Sequence, residues 1–283
     1  MTHVMACIDN SQSSLAVCDY AAWASQRLRA PLTLLHVLDE ERYPTTTDFG
    51  GNIGLGSKEH LLEKLTTLDA LRAKIALENG QYMLESARSR VLSSGVVSPN
   101  LKQRHGHLVE SINALQDDIR LLIIGRVGED SARSACPIGS QIEAVVRAFH
   151  RPILIANGNF KKPKKVMLAF DGSANSQKTV QTLASSPLCT GMSLHIVMAG
   201  EDSPENQNRL DRARGNLAAS GLQVQAELRK GEVEVVLQAY QTEHGIDLLV
   251  MGAYGHSRIR QFLVGSTTSM MLRTTTLPVL LIR

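Results

Sequence analysis

At 283 residues, with 43% apolar and 20% charged side chains, the chain is long enough for one large domain or two ordinary ones and can bury a sizeable core. A formal charge of +3, with no basic stripe interleaved with aromatics, gives no electrostatic case for nucleic acid as a partner. Four scattered cysteines (Cys7, Cys18, Cys136, Cys189) without a CxxC pair argue against a disulfide framework or a zinc site, and for the reduced thiols of a cytoplasmic protein.

The chain opens with MTHVMACIDNS, which lacks the basic region and long apolar stretch of a secretory leader. Apolar runs such as Leu121–Ile124 and Val279–Ile282 are far too short to span a bilayer, so no membrane partner is expected. Cys7 lies in the first apolar run and reads as core packing rather than as a nucleophile. Asp9 follows that run, and LTLLHV (Leu32–Val37) is the second. Asp39–Lys58, rich in Gly, Thr and charge, predicts a loop. From Glu59 to Ser94, residues Leu61, Leu62, Leu65, Leu68, Leu71, Ile75, Tyr82, Leu84 and Val91 fall near helical spacing and predict a long helix. RHGHLVESI (Arg104–Ile112), IRLLIIGRVG (Ile119–Gly128) and RPILIA (Arg151–Ala156) come next, and KKPKK (Lys161–Lys165) reads as a solvated linker.

Beyond the linker the chain repeats itself. AFDGS (Ala169–Ser173) answers CIDNS (Cys7–Ser11), and GMSLHI (Gly191–Ile196) answers LTLLHV. RKGEVEVVL (Arg229–Leu237) answers RHGHLVESI, IDLLVMGAYG (Ile246–Gly255) answers IRLLIIGRVG, and LPVLLI (Leu277–Ile282) answers RPILIA. Five matches in one order describe two copies of a domain, 1–158 and 162–283. Asp9 and Asp171 lie 162 positions apart and His36 and His195 159, but Pro152 and Pro278 only 126; the first copy therefore carries about 34 extra residues, within 39–94.

In the second copy, Val166–Phe170, Ser193–Met198, Gln223–Leu228, Leu248–Met251 and Val279–Ile282 predict strands. Helices are expected near Ala174–Ser185, Pro204–Ser220, Glu232–His244 and Ser266–Arg273. Strands separated by helices predict the α/β class, a parallel sheet with helices on both faces. Such sheets bind ligands at the carboxyl ends of their strands, at the topological switch point. Asp171 and Gly252 each follow a strand and fall on that edge. The apolar closing strands PILIA and PVLLI predict edge-to-edge pairing of the copies about a pseudo-twofold axis, since an uncovered apolar edge invites aggregation.

In GAYGHSRIRQFLVGST (Gly252–Thr267), two residues separate Gly252 from Gly255, and nine more precede Gly265, Ser266 and Thr267. A glycine after a strand permits a sharp turn and, lacking a Cβ, the close approach of a ligand. Gly265 and Ser266 stand where the last helix is expected to begin, where unpaired N–H groups and the positive dipole end favour an anion. The intervening HSRIRQFLV holds Arg258 and Arg260 and no acid. The pattern points to phosphate. It is no Walker motif, since no Lys precedes the Ser, and no dinucleotide fingerprint, since AFDGSANS places an acid where that fingerprint has its glycines.

G-x2-G-x9-G-[ST], an acid-x-Ser after the first strand and LLHV in the second together resemble the universal stress protein family, as a tandem pair over nearly the whole chain. The resemblance implies two doubly wound five-stranded parallel-sheet domains of the adenine-nucleotide alpha-hydrolase-like, Rossmann-like kind. It also implies ATP or a related adenine nucleotide, AMP or ADP, with Mg²⁺ left open as a companion. By that resemblance the ribose hydroxyls meet Asp171, the adenine edge meets the backbone of Ile196, and ribose and phosphates meet Gly252, Gly255, Gly265, Ser266 and Thr267. The implied role is stress response or signalling through nucleotide-dependent conformation or partner binding.

The first copy departs from the pattern. Asp9, Val37, Gly125, Gly128, Gly139 and Ser140 stand at matching positions, but ten residues separate Gly128 from Gly139. EDSARSACPI is net acidic, which opposes phosphate, and Pro137 constrains the loop. This copy is expected to bind nucleotide weakly, or to serve pairing and regulation instead. His36 and His195 read as a recurring strand feature facing a helix layer, His256 as a candidate phosphate contact, and His105 and His107 as a close pair that completes no metal or catalytic set. Two other classes stay open. One is a slow ATP-hydrolysing enzyme, for which no general base or second acid for Mg²⁺ can be named. The other is a dimerisation module that binds no nucleotide. The sequence names no protein partner and leaves homodimerisation open.

Overall fold

The computed structural model describes residues 2–39, 57–128, 140–253 and 271–283, with the side chains of 57–63 and 140 set aside. The first copy contains β1 (His3–Cys7), α1 (Ser14–Leu28), β2 (Leu32–Leu38), α2 (Ser57–Ser93), β3 (Asn100–His105), α3 (Leu108–Asn113), β4 (Ile119–Gly125), α4 (Ser140–Ala148) and β5 (Ile153–Ala156). The second contains β6 (Lys165–Ala169), α5 (Ala174–Ser185), β7 (Ser193–Ala199), α6 (Pro204–Ala219), β8 (Gln223–Arg229), α7 (Val233–His244), β9 (Leu248–Gly252) and β10 (Val279–Ile282), with a helical turn at 271–274 before the last strand.

The ten strands of the described residues join one sheet, in the order β3-β2-β1-β4-β5-β10-β9-β6-β7-β8. Pairing is parallel throughout each copy and antiparallel between β5 and β10. At that seam Val279 pairs with Ile155, Leu280 with Leu154 and Leu281 with Ile153. The register is symmetric about Leu154 and Leu280, so a local twofold passes between them, as the two apolar closing strands predict. Within each copy the chain runs outward from β1 (or β6) in one direction and then returns to the other side. The switch points therefore lie between β1 and β4, and between β6 and β9.

Helices cover both faces, which is why the strands read as continuous apolar runs. Val4, Ala6, Leu121, Ile123, Val166, Leu168, Leu248 and Val250 point to the core under α1, α2, α5 and α6. Met5, Leu122, Ile124, Met167, Leu249 and Met251 point to the core under α3, α4 and α7. Among the described apolar side chains of α2, the buried ones lie in its second half. Ala76, Leu84, Ala87 and Val91 are buried, whereas Leu65, Leu68, Leu71 and Ile75 are exposed. Among the described residues no helix is long and apolar enough to cross a membrane.

The strand register corrects one repeat match. Val4 pairs with Leu32 and Val166 with Leu194, so the spacing of 162 set by the two aspartates continues through the second strand. His36 thus corresponds to Met198, His195 to Thr33, and Val37 to Ala199 rather than to Ile196. A slip of three, an odd number, also reverses the face. His36 bonds the Ile8 carbonyl through Nδ1 at 2.8 Å and packs beside Gly80 of α2. His195, on the opposite face, bonds Tyr240 of α7 at 2.9 Å and Ser193 at 3.1 Å. The linker is also more than a solvated run. The Lys161 ammonium pairs with buried Asp247 at 2.5 Å, the Lys164 and Lys165 amides donate to the same carboxylate at 3.1 Å, and Phe160 lies edge-on to Tyr20.

Candidate functional site

In the second copy the site is built where β6 ends. Phe170 donates its amide to the Val197 carbonyl, and the chain then leaves the sheet at Asp171. Main-chain groups of a parallel strand alternate between its two neighbours. Val197 faces β6 and Gly200 donates to Arg229 of β8, so the N–H and C=O of Ala199 point into the space vacated beyond β6. Ile196, by contrast, directs its main chain to β8 and buries its side chain completely.

Asp171 stands exposed at this rim, one Oδ accepting from the Ser173 amide at 2.9 Å. Partial burial pushes its carboxyl upward, but the hydroxyl and amide of Ser173 and the hydroxyl of Ser176 outweigh that and hold it below the ordinary carboxylate value. Ser173 also caps α5, its hydroxyl accepting from the Ser176 amide at 3.2 Å. Gly172 has φ +73°, and a Cβ there would come within 2.8 Å of Arg209 Cδ. Arg209 of α6 thus brings a cation to the rim beside Asp171, paired to Glu205.

Gly252 ends β9 across the switch point, and its φ is not in the left-handed region. The turn argument therefore fails there, and the reason for glycine is packing. A Cβ would lie 2.7 Å from Asn175 Nδ2 and 3.3 Å from Thr179 Oγ1. Asn175 reaches this strand end by donating to the Ala253 carbonyl at 2.8 Å. Gly125 of the first copy has the same relation to α1, with a Cβ placed 2.6 Å from Ser13 Cβ. Asn175, Arg209 and Ala199 escape the sequence reading. The constant spacing from the two aspartates is the signal that finds Ala199; nothing local marks the other two.

In the first copy, Asp9 is half-buried and one of its oxygens accepts from the Ser11 amide at 3.1 Å, the Ser11 hydroxyl at 2.6 Å and the Ser14 hydroxyl at 2.8 Å. Its other oxygen would lie 3.4 Å from a Cβ on Gly128, so Asp9 and Gly128 do meet at the rim. Val37 points its main chain beyond the end of β1 as Ala199 does beyond β6, since Ile8 makes the last bond, to Leu35. Ser140 is the first residue of α4. Gly139, Pro137, Cys136, Gly255, His256, Gly265, Ser266 and Thr267 lie outside the described residues, as do residues 40–56 of the loop predicted over Asp39–Lys58, whose last two residues instead open α2. Burial, joined at Cys7 by the Asp9 carboxylate, pushes the thiols of Cys7 and Cys189 up to about 12, so neither is a nucleophile at neutral pH.

The universal stress protein family model matches residues 1–157 and 162–283. The universal stress protein Slr1230 of Synechocystis is 33% identical over 287 residues, covering 100% of both chains. Among solved structures, a universal stress protein of Archaeoglobus fulgidus superposes with a TM-score of 0.70 at 18% identity, over 99% of this chain and 98% of its own. A functionally unknown protein of Pseudomonas aeruginosa superposes with a TM-score of 0.60 at 14% identity, over 100% of this chain and 92% of its own. These two likenesses concern the fold.

Proposed function

Since the chain belongs to the universal stress protein family, we propose that its second copy binds an adenine nucleotide, ATP before ADP or AMP, and that occupancy sets the conformation the protein offers to a partner in a stress response. The reading rests above all on the rim beside Asp171. Adenine offers a ring-nitrogen acceptor beside an amino donor, and the N–H and C=O of Ala199 supply the complementary pair beyond the end of β6. One strand away, the ionised Asp171 is an acceptor for ribose hydroxyls. The sequence G-x2-G-x9-G-S-T then follows β9 across the switch point, where phosphates would be held by Gly255, Gly265, Ser266 and Thr267. Gly252 fits this reading as a packing residue that lets α5 lie against the strand end.

The first copy has a matching rim at Asp9 and Val37, but a longer, acidic loop after Gly128, so it is proposed as the weaker site. Nucleotide released on denaturation, identified by mass spectrometry, tests whether the chain carries one at all. Titration with ATP tests the placement. Asp171→Ala removes a charge-assisted acceptor and should weaken binding roughly ten- to a hundred-fold, while Asp9→Ala changes it little. The reverse order would move the site to the first copy; no binding by either variant or by the parent chain would remove the reading.

A further inference from the structure

Of the arginines that reach from one copy to the other, Arg126 and Arg283 each close the end of a helical segment in the other copy. Arg126, next to Gly125 at the end of β4, donates Nη1 to the Thr275 carbonyl at 2.5 Å and Nη2 to the Arg273 carbonyl at 2.6 Å. Arg283, next to the end of β10, donates Nη1 to the Arg147 and Phe149 carbonyls at 3.0 and 3.2 Å. By the spacing of 126 between the closing segments, Arg273 and Thr275 are the counterparts of Arg147 and Phe149. The two guanidinium groups therefore perform one task on either side of the twofold: they satisfy the last carbonyls of a helix and place positive charge at its negative end.

The gripped ends belong to the segments that follow the two glycine motifs in the sequence. α4 begins at Ser140, and the described helical turn at 271–274 comes after Thr267 in the chain. The grip on that turn is the stronger built. Asn157 also donates to the Thr275 carbonyl at 3.2 Å, Thr275 is 2% exposed, and its hydroxyl accepts from the Leu277 amide at 3.1 Å. The residue equivalent to Arg126 in the second copy is Ala253, which cannot reach across. We propose that Arg126 is a positioning residue for the second copy's site: a first-copy side chain fixes where the turn at 271–274, which follows the glycine motif in the sequence, stands, and Arg283 does the same for the end of α4 in the first copy.

This inference rests on the nucleotide reading above, and its test separates the two. Hydrogen exchange of the nucleotide-free full chain should show Arg126→Ala speeding the amides of 271–277 by about tenfold or more, with those of 145–149 unchanged. Arg283→Ala should do the opposite. In ATP titrations Arg126→Ala should weaken binding by about three- to thirty-fold, the range for residues that couple sites without touching the ligand. Arg283→Ala should stay within twofold. Equal binding by both variants, or faster exchange at 271–277 with unchanged ATP affinity, overturns the positioning role, and so does uniform acceleration over the whole chain. If the parent chain takes no nucleotide, the reading on which this rests falls, and exchange alone then reports whether Arg126 holds the turn.

Discussion

Gly252 illustrates how a motif residue can be conspicuous in a sequence for a reason the sequence does not contain. Its neighbour Asn175 is 77 positions away, and only the fold reveals that the side chain fills the space a Cβ would need. Gly252→Ala should cost about 1–3 kcal/mol of stability through overpacking. Gly252→Ala combined with Asn175→Ala should recover part of it, measured by denaturant unfolding; additive losses would contradict the contact. His195 offers a second test. Burial first, then the neighbouring His244 and Lys165 charges, hold its imidazole below the ordinary value, against a smaller opposite pull from Glu227. A group depressed in the folded state adds stability above its unfolded value, near about 6.5, and that contribution is lost as pH falls through the lower folded value. Stability of the parent chain should therefore decline on acidification from about pH 6.5, and His195→Gln should flatten that part of the curve. An unchanged slope would show that His195 does not titrate in this way.

At the level of elements, regular structure was legible and register was less so. The helix predicted over Ala174–Ser185 is α5 residue for residue, and the closing strands coincide because buried parallel strands are unbroken apolar runs flanked by turn residues. The three-residue slip in β7 arose because Leu-His followed by a branched residue occurs in both second strands. Such local likeness outweighed the even spacing that face alternation demands. The long helix was also legible, as leucine periodicity, but periodicity does not say whether a partner exists. In α2 the stripe through Leu65, Leu68 and Ile75 stays exposed while the stripe through Ala76, Leu84, Ala87 and Val91 is buried. Hydrogen exchange should accordingly be graded along one continuous helix, fast over 64–75 and slow over 80–91, since local opening follows buried contact. Uniform protection would mean that the exposed stripe is covered in solution. Of the candidate site, the acids and the strand-end glycines were readable from position. The main-chain pair at Ala199, proposed to meet adenine, was not, because a main-chain donor and acceptor carry no side-chain signature.

Across the whole molecule, β10 is shared. It completes the parallel sheet of the second copy through β9 and closes the first through β5. Leu280 is 2% exposed at the centre of the seam, and truncating a core leucine costs about 2–5 kcal/mol. Leu280→Ala should therefore shift the unfolding of both halves. Trp23, the single tryptophan, is buried in α1 of the first copy and reports that half by fluorescence. A Trp23 midpoint unmoved by Leu280→Ala would mean that the halves unfold independently. The sheet's outer strands, NLKQRH in β3 and QVQAELR in β8, are polar and only partly buried, so they discourage the addition of further strands.

The antiparallel seam has one more consequence. Two identical chains meeting at such a twofold must carry every residue twice, so a substitution that helps one side is imposed on the other. Here the partners are covalently one polypeptide, always present one to one and never exchanged. Arg126 can face Thr275 while its counterpart Ala253 is left small, and Arg283 can take up the mirrored grip from a different place in the chain, where its own counterpart is Asn157. Fusion thus releases the interface from self-complementarity. Each half can specialise, one as a binder and the other as its brace, without the dilution that mixed dimers of separate chains would bring.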